Sequence, residues 1–564
     1  MEATVKQNRS EAVSGRKNNG GIAGIIVLAA FGILTLIGAL RHELWFDEAQ
    51  AWLIARDNDI AGIFKQLNFE GHPPLWYLIL FIFTRLGCSC SVIPLISWAV
   101  MLVSAVVIMR KAPFSTFVKS AVILSGGFIY FNTVMSRVYC LIYIFCALIA
   151  CLYPKRKEHP LLYGLLIALL ANTHVCMSGF IGMLGIFMLI DLIKGWKTNT
   201  KKQNILEIAG MVIAAAGVLL LVLPLLGSVS ANPSTNENVY TVRGVLSSIA
   251  GVFSSISFSA MEFDENMAHL WLNIIEFLLS VCLFIKFLLL RHKTRAFWSF
   301  ALFLVCYIIT SEIVWFTIPN RAHIFIFMFF ICGWLAEYEE KNSIGAFGEK
   351  IADKCDSGMI KSFLKFIAKT DGNSEKSYIT LMTAVMLVTA PTGFYYLFSD
   401  YAKAFCPAKY AAEYIEENLP EDSFFVGFYD DFVAVAAYLP DTYTFYSMQD
   451  YEFYSYIPHT IPEDTGEGVA ERIRRETSGH EHIYLMERNL DITVPHQRKV
   501  YYAIDDGIPF SKNVGFGTNL YSIMISEFDY DQDVRSFLSI YYKSDKSKIE
   551  KELRDELGIE LDDQ

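Results

Sequence analysis

The sequence predicts an α-helical polytopic membrane protein of about eleven spans plus juxtamembrane helices, followed by a C-terminal extracytoplasmic mixed α/β domain. Three observations predict this fold class. The chain has 564 residues, 54% of them hydrophobic and 14% aromatic, and a mean hydropathy of +0.36, which is too apolar for a soluble protein of this length. Apolar runs of about 20 residues recur along roughly the first 400 residues. From Asp400 onward the chain becomes acidic, with about 33 acidic and about 15 basic residues.

These shifts predict three parts. Residues 1–20 form a cytoplasmic tail, residues 21–398 form a transmembrane module with an external loop at 41–90, and residues 399–564 form an extracytoplasmic soluble domain. The first apolar run lacks a clear small-residue cleavage site, which indicates a signal anchor rather than a removed signal peptide. The apolar runs lie at 21–40, 91–109, 117–135, 138–153, 160–173, 175–193, 205–227, 269–290, 296–318, 322–338 and 378–398.

Basic residues predict the orientation. The stretch 73–87 has only about 15 residues, too few for an ordinary span, so we expect it to lie along the membrane surface. The basic N-terminal tail and the later Lys- and Arg-rich loops then share one side, which the positive-inside rule makes the cytoplasm. The chain is therefore predicted to be a multi-pass protein of the cell membrane, with a cytoplasmic N-terminus and its C-terminal domain outside. No basic stripe suited to nucleic acid is present.

The outer domain shows both helical and strand patterns. Apolar residues at helical spacing predict a helix over Ala408–Asn418. Short apolar runs predict buried strands at Phe424–Phe428 and His482–Met486. A charged terminal helix is predicted over Lys546–Leu557.

An adjacent acid pair, Asp47–Glu48, lies at the mouth of the first span. The spacing of apolar residues over Trp45–Arg56 predicts an amphipathic helix in the membrane interface. A carboxylate at such a low-dielectric boundary suits a general base, which is the role we expect for Asp47. The alternative is a charge favoured there only by the helix dipole.

Further polar residues lie on the same predicted outer side. Glu70 and His72 precede two prolines, and His72 either hydrogen-bonds a lipid phosphate or caps a loop. Arg137, with Tyr139 close by, matches phosphate in a bidentate fork or else snorkels to the headgroups. The remaining candidates at outer junctions are His174, Arg321 and His323.

The sequence predicts no metal site. Cys88-Ser-Cys90 lacks a second ligand pair. The Asp430-Asp431 and Asp505-Asp506 pairs resemble metal-binding signals only loosely, and in so acidic a domain they are more often solvated charges. The residues identify no cofactor and leave a divalent cation open.

The order of the outer motifs resembles that of the GT-C glycosyltransferases. The motifs are Trp45-Phe-Asp-Glu48, His72-Pro-Pro-Leu75, Ser136-Arg-Val-Tyr139 and His174. They are most similar to the protein O-mannosyltransferase-like group (family 39-like) and the related aminoarabinose transferases. The motifs cover roughly the first 180 residues, and beyond them the likeness is one of layout.

The resemblance implies an inverting, hexosyltransferase-type enzyme that moves a sugar from a polyprenyl-phosphate carrier to an acceptor on the outer face. The partners implied are that donor, membrane lipids, and an acceptor that is a protein, a lipid or a cell-wall glycan. Asp47 would be the base and Glu48 its support. The donor phosphate would be held by His72, Arg137, Tyr139 and Arg321, and the substrate contacted further by Glu70, His174 and His323.

One departure affects the phosphate pocket. The family's group usually carries an Arg after the juxtamembrane helix, but the stretch 91–96 has none, and Arg85 is the nearest substitute. Two other classes stay open. A transporter or flippase of lipid-linked sugars would need charges deep in broken spans. A non-catalytic membrane receptor would not need the clustered acid, imidazole and guanidinium groups.

Overall fold

The structure, a computed structural model, describes most of the chain. It covers residues 21–70, 72–231, 267–313, 319–339, 358, 374–427, 429–447, 452–453, 456, 469–489, 501–503, 513–517 and 522–528. Contacts between residues separate two units. Unit 1 comprises the described residues within 1–40, 70–76 and 94–398, and unit 2 those within 41–69, 77–93 and 399–564. Most of the loop 41–90, predicted to be external, thus groups with the residues after 398, which hydropathy alone did not indicate. The three predicted parts and their boundaries stay a prediction.

Unit 1 is built from long apolar helices. Each of the eleven predicted apolar runs carries helix, because each is long and predominantly apolar. The helices of this unit are α1 (Ile22–Arg41), α5 (Ile93–Lys111), α6 (Thr116–Ile123), α7 (Tyr139–Leu152), α8 (Pro160–Ala171), α9 (Ser178–Gly195), α10 (Lys201–Ala231), α11 (Met267–Arg291), α12 (Arg295–Ile313), α13 (Pro319–Ala336) and α14 (Ser374–Ala402). The helix-end residues Arg41, Ile93 and 399–402 group with unit 2.

Among the described residues, five helices are long and apolar enough to cross a membrane, and five shorter apolar helices accompany them. Large apolar side chains on the long helices are exposed, for example Ile22 at 79%, Val212 at 62% and Leu219 at 64%. Exposed apolar side chains in such numbers are stable only against lipid. The chain is a polytopic membrane protein, while the number of spans stays a prediction.

The run 117–135 is not one continuous helix. Helix α6 ends at Ile123, and a single π-helical turn follows at Gly127–Phe131. A Cβ on Gly126 would lie 2.7 Å from the Thr389 carbonyl oxygen, and one on Gly127 would lie 2.6 Å from the Tyr143 hydroxyl. Close packing against α14 and α7 accompanies this broken helical path, and whether the run crosses the membrane stays a prediction.

Unit 2 combines helices with one sheet. From the loop come α2 (Phe46–Asp57), α3 (Ile60–Glu70) and α4 (Leu75–Arg85), although residues 70–76 of the last two group with unit 1. From the C-terminal region come α15 (Ala408–Asn418), α16 (Tyr429–Ala436) and α17 (Val469–Thr477). The strands are β1 (Phe424–Gly427), β2 (Thr444–Ser447), β3 (Glu452–Phe453), β4 (Ile483–Asn489), β5 (Tyr501–Ala503), β6 (Asn513–Gly517) and β7 (Ser522–Glu527).

The seven strands lie in the order β3-β2-β1-β4-β7-β6-β5. Strand β1 pairs in parallel with β2 and β4, and the other pairs are antiparallel. All four residues of β1 are buried, as expected for a central parallel strand. The segment from β1 through α16 to β2 is a βαβ crossover, which parallel neighbours require.

Several predicted elements are confirmed in unit 2. The helix over Ala408–Asn418 has the predicted bounds. Strands occur at both predicted places, β1 and β4, with Phe428 lying outside the described residues. The predicted terminal helix Lys546–Leu557 also lies outside them. Helix α4 has 11 residues, about 17 Å of rise, which is too short to cross a bilayer core of about 30 Å.

The prediction for Trp45–Arg56 was half right. A helix is present, but it is not amphipathic, because every residue from Glu48 to Ala55 is buried. Helix α2 packs against α16, and Arg56 donates from Nη1 to the carbonyls of Ala436 and Leu439 at 3.2 and 3.1 Å. Two surface helices were predicted in the loop, over Trp45–Arg56 and 73–87. Helix α3 was missed because its short sequence mixes polar and apolar residues in a way that resembles a loop.

Candidate functional site

The two carboxylates of the acid pair have different environments. Asp47, in the first turn of α2, is partly exposed. The side chain of Glu48 is 0% exposed and accepts from the Trp45 backbone N–H at 3.2 Å. An acid at the third helical position that bonds back to the residue before the helix is half of a capping box. Only Asp47 of the pair is therefore accessible to a substrate.

Glu48 also belongs to a buried network that we call the acid cluster: His42, Glu48 and Asp400. The His42 ring bridges the two acids, with Nε2 3.0 Å from Glu48 Oε2 and Nδ1 2.9 Å from Asp400 Oδ2. The three side chains are at most 1% exposed. All three residues belong to unit 2. A ring with an acceptor at each nitrogen has a hydrogen on both, so the geometry is that of an imidazolium.

Burial alone would lower the pKa of His42, but the charges of Glu48 and Asp400 and its hydrogen bonds to them raise that pKa well above its ordinary value. The phenyl ring of Phe405, with its centroid 4.8 Å from that of the His42 ring, lies against it. The cluster thus holds a positive charge between two negative ones away from water, where charge-assisted hydrogen bonds are strongest.

Neighbouring bonds fix the same segment further. Arg41 donates from Nη1 to the Tyr401 carbonyl at 2.7 Å. The buried carboxylate of Glu43 accepts from the Phe405 backbone N–H at 2.8 Å and from the Tyr410 hydroxyl at 2.9 Å. Sequence reasoning missed the roles of His42, Glu43 and Asp400. The available signal was that each is an ionisable residue directly beside an apolar run.

A second group lies in unit 1, and we call it the ring cluster: His72, Arg137, Tyr139 and His174. The His72 and His174 rings meet edge to face at 5.6 Å between centroids. The Tyr139 ring lies 5.2 Å from that of His174, and the Arg137 guanidinium carbon lies 5.5 Å from the Tyr139 ring centroid. Four predicted site residues from three separate segments of the chain are thus brought together.

Backbone bonds orient both imidazoles. His72 Nδ1 lies 2.8 Å from the Glu70 carbonyl oxygen, so this nitrogen donates. His174 Nδ1 accepts from the Cys176 N–H at 3.1 Å, which places the hydrogen of a neutral ring on Nε2. His174 therefore presents a donor without carrying a charge, whereas His72 would donate from Nε2 only as an imidazolium.

Three further predicted site residues are Glu70, His323 and Arg321. Glu70 ends α3, and its carbonyl receives the His72 bond. His323 is buried and stacks on Phe131 at 4.6 Å. Arg321 is in the first turn of α13, but its side chain lies outside the described part. The roles of all three stay predictions.

Two other sequence proposals concern metals and Arg85. Within the part of the chain that the structure describes, no group of three or more His, Cys, Asp or Glu residues is placed to hold a metal ion. Arg85 donates to the Asn58 carbonyl at 2.6 Å and lies 4.5 Å from the Phe81 ring centroid, both within unit 2. Its role as a substitute phosphate ligand stays a prediction.

No protein-family model matches the chain, and no curated protein matches it in sequence. Among solved structures, the chain is similar to ArnT from Cupriavidus metallidurans bound to undecaprenyl phosphate. That likeness has a TM-score of 0.45 and 13% sequence identity, and covers 90% of this chain and 98% of that one.

Proposed function

We propose that this chain is a membrane glycosyltransferase that moves a sugar from a polyprenyl-phosphate carrier to an acceptor on the extracytoplasmic face, with Asp47 as the base. The observation that carries the proposal is the contrast within the acid pair. Asp47 is accessible on a helix that is otherwise mostly buried, while Glu48 is held beside it by buried bonds. An accessible carboxylate on a rigid element is what general base catalysis requires.

The proposed reaction is a single displacement with inversion. The acceptor hydroxyl attacks the anomeric carbon and gives its proton to Asp47, and the bond from that carbon to the carrier phosphate oxygen breaks. The carrier leaves as a phosphate monoester, so negative charge grows on its phosphate as the bond breaks. Cationic groups placed where that charge develops lower the barrier.

The ring cluster supports the donor side of the proposal. Arg137 is partly exposed, and its planar guanidinium can hold two phosphate oxygens at once. His174, with its hydrogen on Nε2, supplies a neutral donor, and His72 supplies a charged one when protonated. The resemblance of the motif order to that of GT-C glycosyltransferases likewise implies a phosphate role for His72, Arg137 and Tyr139, whereas it implies only a substrate contact for His174.

The test uses the purified full-length protein, radiolabelled polyprenyl-phosphate sugars of several kinds, and a membrane extract as the source of acceptor. The measurement is the release of free polyprenyl phosphate. Asp47→Asn keeps the size of the side chain but removes the base, so turnover should fall by about 10²–10⁴-fold. Asp57→Asn, an exposed acid at the end of the same helix, is the matched control and should keep wild-type turnover.

Substitutions of Arg137 test the binding of the donor phosphate in the same assay. Arg137→Ala should lower turnover by about 10²–10³-fold, as removal of one preorganised charge-stabilising group does. Arg137→Lys should retain part of the wild-type turnover, because it keeps the positive charge but cannot bond two phosphate oxygens at once. Full turnover in Asp47→Asn would overturn the proposed mechanism. Movement of intact donor across a vesicle membrane without carrier release would instead identify a flippase.

A further inference from the structure

We propose that His42 is a positioning residue: as an imidazolium clamped between Glu48 and Asp400, it fixes the start of helix α2, and Glu48 is an anchor and not a second base. The assignment of Asp47 as the residue being positioned rests on the proposed function. The clamp itself is a feature of the fold that does not depend on that function, and a separate experiment tests it.

Exposure separates the two carboxylates. The side chains of His42 and Glu48 are each 0% exposed, and that of Asp400 is 1% exposed. A group that substrate cannot touch cannot exchange a proton with it directly. The adjacent Asp47 is partly exposed. The pair that the sequence presents as two acids is therefore one accessible acid and one buried support.

The bonds to Glu48 explain how the support acts. Glu48 Oε2 receives both the His42 ring at 3.0 Å and the Trp45 N–H at 3.2 Å. The Trp45 carbonyl in turn accepts from the N–H groups of Glu48 and Ala49, in the first turn of the helix, at 3.1 and 3.0 Å. One carboxylate thus ties the turn before the helix to its first residues. Asp47 lies between these two attachment points, so its backbone is fixed.

Asp400 joins the clamp from a distant part of the sequence. It is 358 residues from His42 and lies in the last turn of α14. The bond from Arg41 to the Tyr401 carbonyl joins the same two segments, because Arg41 precedes His42 and Tyr401 follows Asp400. Glu48 and Asp400 are the charged groups that bond the His42 ring, and the Phe405 ring lies against it. The neighbouring Arg41 and Glu43 bond the Tyr401 carbonyl and the Phe405 N–H instead. Two carboxylates around one imidazolium leave it strongly favoured in its charged form.

The first experiment needs no activity. Deuterium exchange at the imidazole C2 position, read by mass spectrometry on the wild-type full-length protein over a range of pH, reports burial and pKa for each histidine. His42 should exchange at least about tenfold more slowly than the exposed His159, and its pKa should lie above the ordinary value. In Glu48→Gln the His42 pKa should fall, because one of the two charges that raise it is gone.

The second experiment separates an anchor from a base in the carrier-release assay. In Glu48→Gln the amide oxygen still accepts from the Trp45 N–H, so kcat should fall by less than about tenfold. The decline of activity at alkaline pH should begin at a lower pH than in the wild type, because His42 loses its proton more easily. Glu43→Gln is the matched control. It alters another buried acid of the same segment, whose partners include a backbone N–H and a phenol, and should leave the alkaline limb unchanged.

The outcomes distinguish the two proposals. Fast exchange of His42 with an ordinary pKa in the folded wild-type protein would overturn the clamp. So would a loss of kcat in Glu48→Gln as large as in Asp47→Asn, since that would make Glu48 a second base. Full activity of Asp47→Asn together with slow exchange of His42 would instead remove the proposed function and leave the clamp standing.

Discussion

The acid cluster of unit 2 and the ring cluster of unit 1 are held together by different forces. In the acid cluster, His42 is joined to Glu48 and Asp400 by charge-assisted hydrogen bonds of 3.0 and 2.9 Å. In the ring cluster, His72, Tyr139 and His174 meet through ring contacts of 5.2–5.6 Å. Directional bonds between buried charges define one arrangement, whereas ring contacts tolerate small shifts.

This difference teaches which group suits which task. A buried ion network is strongly destabilised when one member is lost, so it serves as a fixed anchor. Stacked and edge-on rings with an Arg at their border keep polar edges available to a ligand and can adjust to it. The anchor carries its neighbour Asp47, and the ring cluster contains the groups that we assign to the donor phosphate. Three predictions can break or sharpen this contrast.

The largest difference is expected between two histidine substitutions. His42→Leu leaves two buried carboxylates without their shared cation and should destabilise the fold by about 3–5 kcal/mol. His174→Leu removes ring contacts and the bond from the Cys176 N–H but leaves no buried charge unpaired, so we expect a smaller loss of about 1–3 kcal/mol. Thermal unfolding in detergent measures both. An equal loss in the two variants would show that the contrast between the clusters is false.

The second prediction concerns the packing of the π-helical turn in unit 1, next to the helix that carries Tyr139. A Cβ on Gly127 would lie 2.6 Å from the hydroxyl of Tyr143, on the same helix as Tyr139, and 2.9 Å from the His323 Cβ. Gly127→Ala should therefore destabilise the protein by about 1–3 kcal/mol, as overpacking does. Gly185→Ala, in α9, meets nothing within 4 Å and is the control, expected to be neutral. A neutral result for Gly127→Ala would mean that the π-helical turn can move aside.

The smallest expected effect is a pH dependence of stability. The folded-state pKa of His42 is raised, so its contribution is fully present below the unfolded value of about 6.5 and is lost as pH rises through the folded value. The unfolding temperature should fall on the alkaline side. This fall should be shallower in Glu48→Gln, because only one of the two carboxylates that raise the His42 pKa then remains. A wild-type curve that rises with pH in this range would contradict the assignment of charge.

Local sequence was enough for much of the fold. Helices occur where apolar runs are long, and α15, β1 and β4 occur where the apolar period indicated them, because period and length act over one element at a time. Local sequence did not indicate the π-helical turn at Gly127–Phe131 or the burial of α2. There the path is set by what packs against the segment, and a pattern within the segment does not contain that information.

The sequence by itself determined that this is a polytopic membrane protein with an acid pair shortly after its first helix, and it named the four residues of the ring cluster. Only the tertiary structure decided that Asp47 is accessible and Glu48 is buried, and that His42 is joined to Asp400 across 358 residues. The physical reason is that helix formation follows local composition, whereas burial and charge pairing depend on which distant segments exclude water from a side chain.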